Sequence, residues 1–288
     1  MTAPGKVAVI GAGTMGHGIA YVCVRAGFEV ALADANAAQL ERGIAQVGAA
    51  FEKAIARGKA AAADRDAGLA RLRPAASTAD AVRGAATVIE AIPERLELKR
   101  ALFAEVEPLV EAGAMLASNT SSLSIAAIAD GLARPARMIG LHFFNPVAVM
   151  ELLEIVRAPV TGEETVARAR DFARTLGKTP IVVRDTPGFA TSRLGVVLGL
   201  EAVRMLEQGV ASAEDIDKAM ELGYNHPLGP LRLGDLVGLD VRLAIADHLR
   251  ATLGGAQYEA PALLREMVER GDLGKKSGQG FYRWEKER

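Results

Sequence analysis

Apolar residues run unbroken from Val7 to Ile10, stop at a glycine-rich hexapeptide, and resume from Ile19 to Val24 with helical character. The first run suits a buried strand. The second suits a helix that ends before Gly27, a residue fitted to a left-handed helix end. Another apolar run, Phe28 to Ala33, predicts a second strand that closes on Asp34. From Ala37 to about Leu72 the chain is alanine-rich and charged, without β-branched runs, which predicts a helix–turn–helix insertion bent near Gly58. Alternation then returns. Strands are expected at Thr87–Ala91, Met115–Ala117, Met138–Leu141, Leu152–Val156 and Thr179–Arg184, with helices at Leu96–Val110, from Ile125, and at Glu164–Leu176. This order predicts an α/β fold, a Rossmann-type doubly wound and mostly parallel sheet.

The alternation ends at Asp185-Thr186-Pro187-Gly188. Beyond it the pattern is helical only, over about 189–208, 212–221, 229–237, 239–253 and 260–270. The first of these is apolar nearly all round (Leu194, Val196, Val197, Leu198, Leu200, Val203, Leu206), so it is expected to be the core of an all-α domain. Two domains follow, 1–186 and 187–288, the second of a kind that commonly carries a subunit interface.

The hexapeptide Gly11-Ala12-Gly13-Thr14-Met15-Gly16 fits G-x-G-x-x-G between a strand and a helix. Its glycines suit a tight turn, a backbone surface that a pyrophosphate can touch, and close helix–strand packing. The phosphates would sit at the helix N-terminus, where unpaired N–H groups and the helix dipole favour negative charge. Asp34 follows Gly16 by 18 positions, near the spacing of a carboxylate that binds a ribose 2′-OH. A carboxylate there repels a 2′-phosphate, and Ala35 and Asn36 supply no cation to accept one. NAD is therefore expected over NADP, while the fingerprint alone also allows FAD.

Composition removes other classes. The 34 basic and 35 acidic residues leave a net charge of −1, so there is no electrostatic footprint for nucleic acid or an anionic membrane. The fingerprint strand begins within a few residues of Met1, leaving no signal-peptide layout, and no apolar run is long enough to span a bilayer. The single cysteine, Cys23, reads as a small core residue. A soluble, cytoplasmic protein is expected. His17, His142, His226 and His248 show no ligand spacing, so no metal site is expected.

Ligands of open α/β sheets collect at the carboxyl ends of strands. Three polar clusters fall there: Glu90-Ala-Ile-Pro-Glu94 with Lys99 beyond it, Ser118-Asn119-Thr120-Ser121-Ser122, and His142 right after a strand. A histidine beside a cofactor is placed to take the proton of a hydroxyl whose carbon gives up hydride. Glu154, in the next strand, is the acceptor that would orient its second nitrogen. A single histidine in such a position can equally be structural.

The fingerprint GAGTMGHGIA, the segment SNTSSLSI, HFFNPVAVMELLEI, DTPGF, HPLGPLRLGDLVGLD and KKSGQGFYRW together resemble the 3-hydroxyacyl-CoA dehydrogenase family over essentially the whole chain. The resemblance is strongest to its short, stand-alone 3-hydroxybutyryl-CoA dehydrogenase type. It implies NAD-dependent oxidation of an (S)-3-hydroxyacyl-CoA to the 3-ketoacyl-CoA, or the reverse, in a homodimer built through the helical domain. Carried over by motif, His142 is the general base, Glu154 the carboxylate that holds it, and Ser121 the hydrogen bond to the reacting oxygen, with Asn145 beside it. Gly11, Gly13, Thr14, Met15, Gly16, Asp34, Ala91, Glu94, Lys99 and Asn119 match the cofactor site. Lys53, Arg57 and Lys59 of the helical insertion are the candidates to meet CoA phosphates, although each also reads as part of a solvated helix face.

One departure concerns substrate. After DTPGF the family carries an asparagine that binds the substrate oxygen, and Ser192 stands in its place within Phe189-Ala190-Thr191-Ser192-Arg193. Two alternatives remain at this level: a hydroxy-acid dehydrogenase of the same fold acting without CoA, and an NAD-binding scaffold without activity.

Overall fold

The first strand, β1 (Val7–Ile10), is buried at all four positions and lies third from one edge of an eight-stranded sheet. The computed structural model of the chain describes residues 5–285. After β1 come α1 (Thr14–Arg25), β2 (Val30–Ala33), α2 (Ala37–Ala56), α3 (Ala62–Ala70), β3 (Leu72–Pro74), α4 (Thr78–Val82) and β4 (Thr87–Glu90). Then follow α5 (Leu96–Val106), β5 (Met115–Ser118), α6 (Ile125–Ala129), β6 (Met138–Phe143), β7 (Leu152–Arg157), α7 (Glu163–Thr175) and β8 (Thr179–Arg184). The sheet order is β3-β2-β1-β4-β5-β6-β7-β8. Strand order reverses between β1 and β4, which places the ligand crevice outside the carboxyl ends of those two strands.

Every pairing is parallel except that of β6 with β7. Residues 144–151 link those two, a stretch shorter than the dozen or more residues that a parallel crossover needs, so the chain must reverse. Central strands β1, β2, β4, β5 and β6 are buried throughout, as helices on both faces require. The short β3 and the alternately exposed β8 form the edges. The core between sheet and helices includes Val9, Ile19, Leu32, Phe51, Met115 and Leu141. Cys23 lies fully buried in it, and burial alone pushes its thiol above the ordinary range.

Several boundaries differ from the expectation. β2 begins at Val30 rather than Phe28, whose ring instead packs on Phe172 with centroids 5.2 Å apart. The insertion does bend at Gly58, which has φ +65° between α2 and α3. It is followed by β3 and α4, which are too short and too polar at their flanks to show in the apolar pattern. β6 runs two residues past Leu141, so His142 lies inside a strand rather than after one.

The chain divides into two compact units, Met1–Asp185 and Thr186–Arg288. The second is helical: α8 (Thr191–Glu207), α9 (Ala213–Gly223), α10 (Pro230–Val237), α11 (Leu239–Leu253) and α12 (Ala262–Glu269). α8 supplies Val196, Leu200, Ala202 and Val203 to its core, yet it is not enclosed all round. Leu194 is 72% exposed, and Val197, Leu198 and Leu206 are half-buried. The apolar circumference of α8 thus divides into a core stripe and an outward-facing stripe. Among the described residues no helix is long and apolar enough to cross a membrane.

Candidate active site

The three glycines of the fingerprint do different work. Gly11 has φ +101°, and a Cβ there would fall 2.5 Å from the Ala91 carbonyl oxygen. A Cβ at Gly16 would fall 1.7 Å from the Gly11 carbonyl oxygen, so these two hold α1 against β1 and β4. A Cβ at Gly13 meets nothing within 4 Å. Gly13 also caps α1 without a side-chain acceptor, leaving the first-turn N–H groups to an anion. Thr14 is exposed at this end, while Met15 is half-buried and packs against the core.

Asp34 is fastened to the same loop. Its Oδ2 accepts from Ala12 N at 2.8 Å and its Oδ1 from Asn36 N at 2.9 Å. An open glycine at a helix N-terminus, with a half-exposed carboxylate beside it, fits the pyrophosphate and adenine ribose of NAD. Substitution separates packing from binding. Gly16→Ala is expected to lower the melting temperature, overpacking costing roughly 1–3 kcal/mol. Gly13→Ala should leave stability within about 0.5 kcal/mol, the range of benign surface changes. Its methyl group nevertheless fills the phosphate approach, so calorimetry should show NAD affinity reduced roughly tenfold or more.

A polar network closes the ends of β4 and β5. Glu90, fully buried, accepts from Lys99 Nζ at 2.6 Å, Ile92 N at 2.8 Å and Ser118 Oγ at 2.6 Å. Lys99 is 1% exposed and bridges to Glu94 Oε2 at 3.1 Å. Buried between two carboxylates, its ammonium acts first on the geometry of the loop. Glu94 Oε1 gathers Thr120 Oγ1 at 2.5 Å, Ser121 N at 3.0 Å and Ser122 N at 3.2 Å, with Ser121 Oγ at 3.5 Å. Burial opposes ionisation of Glu94, but Lys99 and these hydrogen bonds outweigh it and hold the carboxyl below the ordinary range. Asn119 joins the neighbouring strand, its Oδ1 accepting from Phe143 N at 2.9 Å.

His142 and Glu154 are direct cross-strand partners in the antiparallel pairing of β6 with β7. His142 Nδ1 lies 2.7 Å from Glu154 Oε2, and both residues are buried, Glu154 completely. The sheet register alone therefore delivers the dyad. The Phe144 ring covers the imidazole, with centroids 4.4 Å apart.

The segment after β6 turns away from the sheet at Asn145, which is exposed, and lines a cleft of about 760 Å³ within the first unit. Lys53, Arg57 and Lys59 line the same cleft, all three exposed. Sequence reasoning missed Lys178, whose Nζ donates to the carbonyls of Val147 at 2.6 Å and Met150 at 2.7 Å, pinning the segment that carries Asn145. Burial keeps this ammonium below the usual lysine range, with Glu151 partly opposing. A lone lysine ahead of a strand reads as solvated, so nothing local signals that role. Sequence reasoning also passed over Asp185, whose Oδ2 accepts from Ser124 Oγ and Ala126 N, each at 2.8 Å, at the start of α6.

In the second unit Ser192 is half-exposed in the first turn of α8. Asp235 there accepts from Phe281 N at 3.0 Å, Tyr282 N at 2.9 Å and Trp284 Nε1 at 2.8 Å. Two motifs widely separated in sequence, around LGDLVG and GQGFYRW, are thus one structural clasp.

The chain is similar to known proteins over both of its units. A model of the 3-hydroxyacyl-CoA dehydrogenase NAD-binding domain matches residues 6–186, and one of the C-terminal domain of that family matches 188–284. A 3-hydroxybutyryl-CoA dehydrogenase of Mycobacterium tuberculosis is 44% identical over 279 residues, 96% of this chain and 97% of that protein. One of Clostridioides difficile is 38% identical over 281 residues, 98% of this chain and 100% of that protein. The crystal structure of Mycobacterium tuberculosis FadB2 aligns at TM-score 0.94 and 44% identity, covering 98% of this chain and 100% of that one. That of (S)-3-hydroxybutyryl-CoA dehydrogenase PaaH1 from Ralstonia eutropha aligns at 0.93 and 40% identity, covering 98% and 99%. With both units matched and the glycine loop, Asp34 and the His142–Glu154 pair in place, the chain belongs to the 3-hydroxyacyl-CoA dehydrogenase family, residues 6–186 being its NAD-binding domain.

Proposed function

We propose that this protein oxidises (S)-3-hydroxyacyl-CoA thioesters, 3-hydroxybutyryl-CoA among them, to the 3-ketoacyl-CoA with NAD, or runs the reverse reduction. The observation that carries the reading is the 2.7 Å contact between His142 and Glu154 inside a buried strand pair of an NAD-binding domain. NAD supplies the hydride acceptor. His142 takes the hydroxyl proton: donation from Nδ1 to Glu154 fixes the tautomer and puts the basic lone pair on Nε2. Glu154 then stabilises the imidazolium that forms. Ser121 hydrogen-bonds the reacting oxygen from a loop that Glu94 and Lys99 hold in place, with Asn145 beside the substrate. Gly11, Gly13, Thr14, Met15, Gly16, Asp34, Ala91, Glu94, Lys99 and Asn119 form or support the cofactor site.

Lys53, Arg57 and Lys59 meet the CoA phosphates. Their support is the cleft itself, where three exposed cations converge with Asn145 on one concave surface. That convergence favours a CoA thioester over a free hydroxy acid. The protein acts in the cytoplasm as a homodimer joined through the helical unit, and Leu194, Leu222 and Tyr224, all 72% exposed or more, give that unit an apolar surface to cover. The test is NADH consumption with acetoacetyl-CoA beside free acetoacetate. Turnover is expected with the thioester only, and paired Lys53→Glu and Arg57→Glu changes should raise KM roughly tenfold at little cost in kcat. Equal turnover of the free acid would remove CoA from the reading.

A further inference from the structure

His17 ends the first turn of α1 and has no part in the chemistry described so far. Its Nδ1 lies 2.9 Å from the Gly13 carbonyl oxygen, which can only accept, so the ring proton sits on Nδ1. Nε2 keeps its lone pair, and among the described residues no protein donor reaches it. An imidazole locked in this tautomer is an acceptor for an N–H or O–H from outside the protein.

The residue lines the cleft of about 760 Å³, whose walls all belong to the first unit. Helices α1 and α2 form two of those walls and run in the same direction. A Cβ at Gly43, near the start of α2, would fall 2.7 Å from the Ala12 carbonyl oxygen, just ahead of α1. At the other end Arg25, the last residue of α1, donates to the Lys59 carbonyl at 3.1 Å, just beyond α2. The cleft therefore has two unlike ends. Lys53, Arg57 and Lys59 gather with Arg25 toward the far one. The segment carrying Asn145 lies at the near one, where a Cβ at Gly18 would fall 2.9 Å from the Val147 side chain. His17 stands next to that contact, and at about 1.5 Å rise per residue it precedes Arg25 by roughly 12 Å along α1. Between the ends α2 contributes the small Ala49 and Ala50, which leaves width for an extended chain.

We propose that His17 is a substrate-binding residue whose Nε2 accepts a hydrogen bond from an amide or hydroxyl of the arm that joins the CoA phosphates to the thioester sulfur. The proposal rests on the function proposed above, which puts the phosphates on the cations and the reacting end near Asn145. The arm then runs the length of the cleft along α1 and passes the ring. Its amide and hydroxyl hydrogens are what a lone pair can accept, whereas a phosphate oxygen is repelled by it. His17 thus reads the part of the carrier that is neither phosphate nor acyl group.

The test is steady-state kinetics with acetoacetyl-CoA and with acetoacetyl-pantetheine, which keeps the arm and lacks the nucleotide, beside calorimetry of NADH binding. His17→Ala and His17→Phe, the second of which fills the ring volume without an acceptor, should each lower kcat/KM for both thioesters by about fivefold or more, the worth of one lost hydrogen bond. On acetoacetyl-CoA the loss should fall on KM with kcat little changed, as for an interaction made equally before and during reaction. The paired Lys53→Glu and Arg57→Glu changes should penalise the CoA thioester alone. NADH affinity should be unchanged in both His17 variants. A penalty confined to acetoacetyl-CoA puts the ring on phosphate and overturns the proposal, as does parental kcat/KM in either variant. Weakened NADH binding overturns it by assigning the ring to the cofactor. A parent that turns over only the CoA thioester draws its binding from the nucleotide and overturns it too. Turnover of neither thioester by the parent overturns the functional reading itself, a result distinct from turnover indifferent to His17.

Discussion

Alanine in place of His142 is expected to lower kcat for 3-hydroxyacyl-CoA oxidation by roughly 10²–10⁴-fold, the usual worth of a positioned general base. The substitution also strips the fully buried Glu154 carboxylate of the imidazole 2.7 Å away. A stability loss of about 1–3 kcal/mol should accompany it, the cost of taking a hydrogen-bond partner from a buried polar group, so rates are compared well below the melting transition. His142→Gln keeps an amide N–H toward Glu154 and serves as the control that repairs packing but not proton transfer. Calorimetric NAD binding should survive in both variants. Glu154→Gln should also be slow, because the imidazolium loses its counter-charge. Near-parental turnover by the alanine variant would remove His142 from the mechanism.

That dyad also shows what the chain discloses before it folds. The fingerprint is legible because its logic is local: strand, turn and helix follow within a few residues, and Gly11, Gly13 and Gly16 fit only if backbone or ligand comes close. His142 and Glu154 are legible as residue types, but their contact depends on a pairing register. The expectation that His142 follows a strand places it one step outside the ladder that in fact delivers Glu154. Lys99 reads as a cofactor contact because it matches the family's motif. Its burial between Glu90 and Glu94 depends on three elements meeting. Lys178 is invisible for the same reason, since a cation becomes informative only when its surroundings have removed water from it. Short elements such as β3 and α4 escape because a few residues carry no period. α8 looks uniformly apolar in sequence because a core stripe and an outward stripe are written in the same residue types.

Ser121→Ala is expected to cost kcat roughly 10²–10³-fold, the worth of one donor aimed at a reacting oxygen. The structure makes it a clean probe. The loop is held to Glu94 by Thr120 Oγ1 at 2.5 Å and by the Ser121 and Ser122 backbone N–H groups, whereas the Ser121 hydroxyl sits at 3.5 Å. Removing that hydroxyl leaves the tighter bonds in place, so a large rate loss with an unchanged melting temperature reports chemistry rather than collapse. Ser192 should matter less. It is half-exposed in the first turn of α8, and serine is shorter than the asparagine its family carries there, although it retains one O–H donor. A bridging water can span the difference where the surroundings are polar. Ser192→Ala should therefore cost clearly less than Ser121→Ala, and Ser192→Asn should keep kcat within about tenfold of the parent. Parallel kinetics of the three variants on acetoacetyl-CoA decide the matter. A parent without activity that Ser192→Asn revives would identify this chain as an NAD-binding scaffold whose catalytic loss lies at that one position.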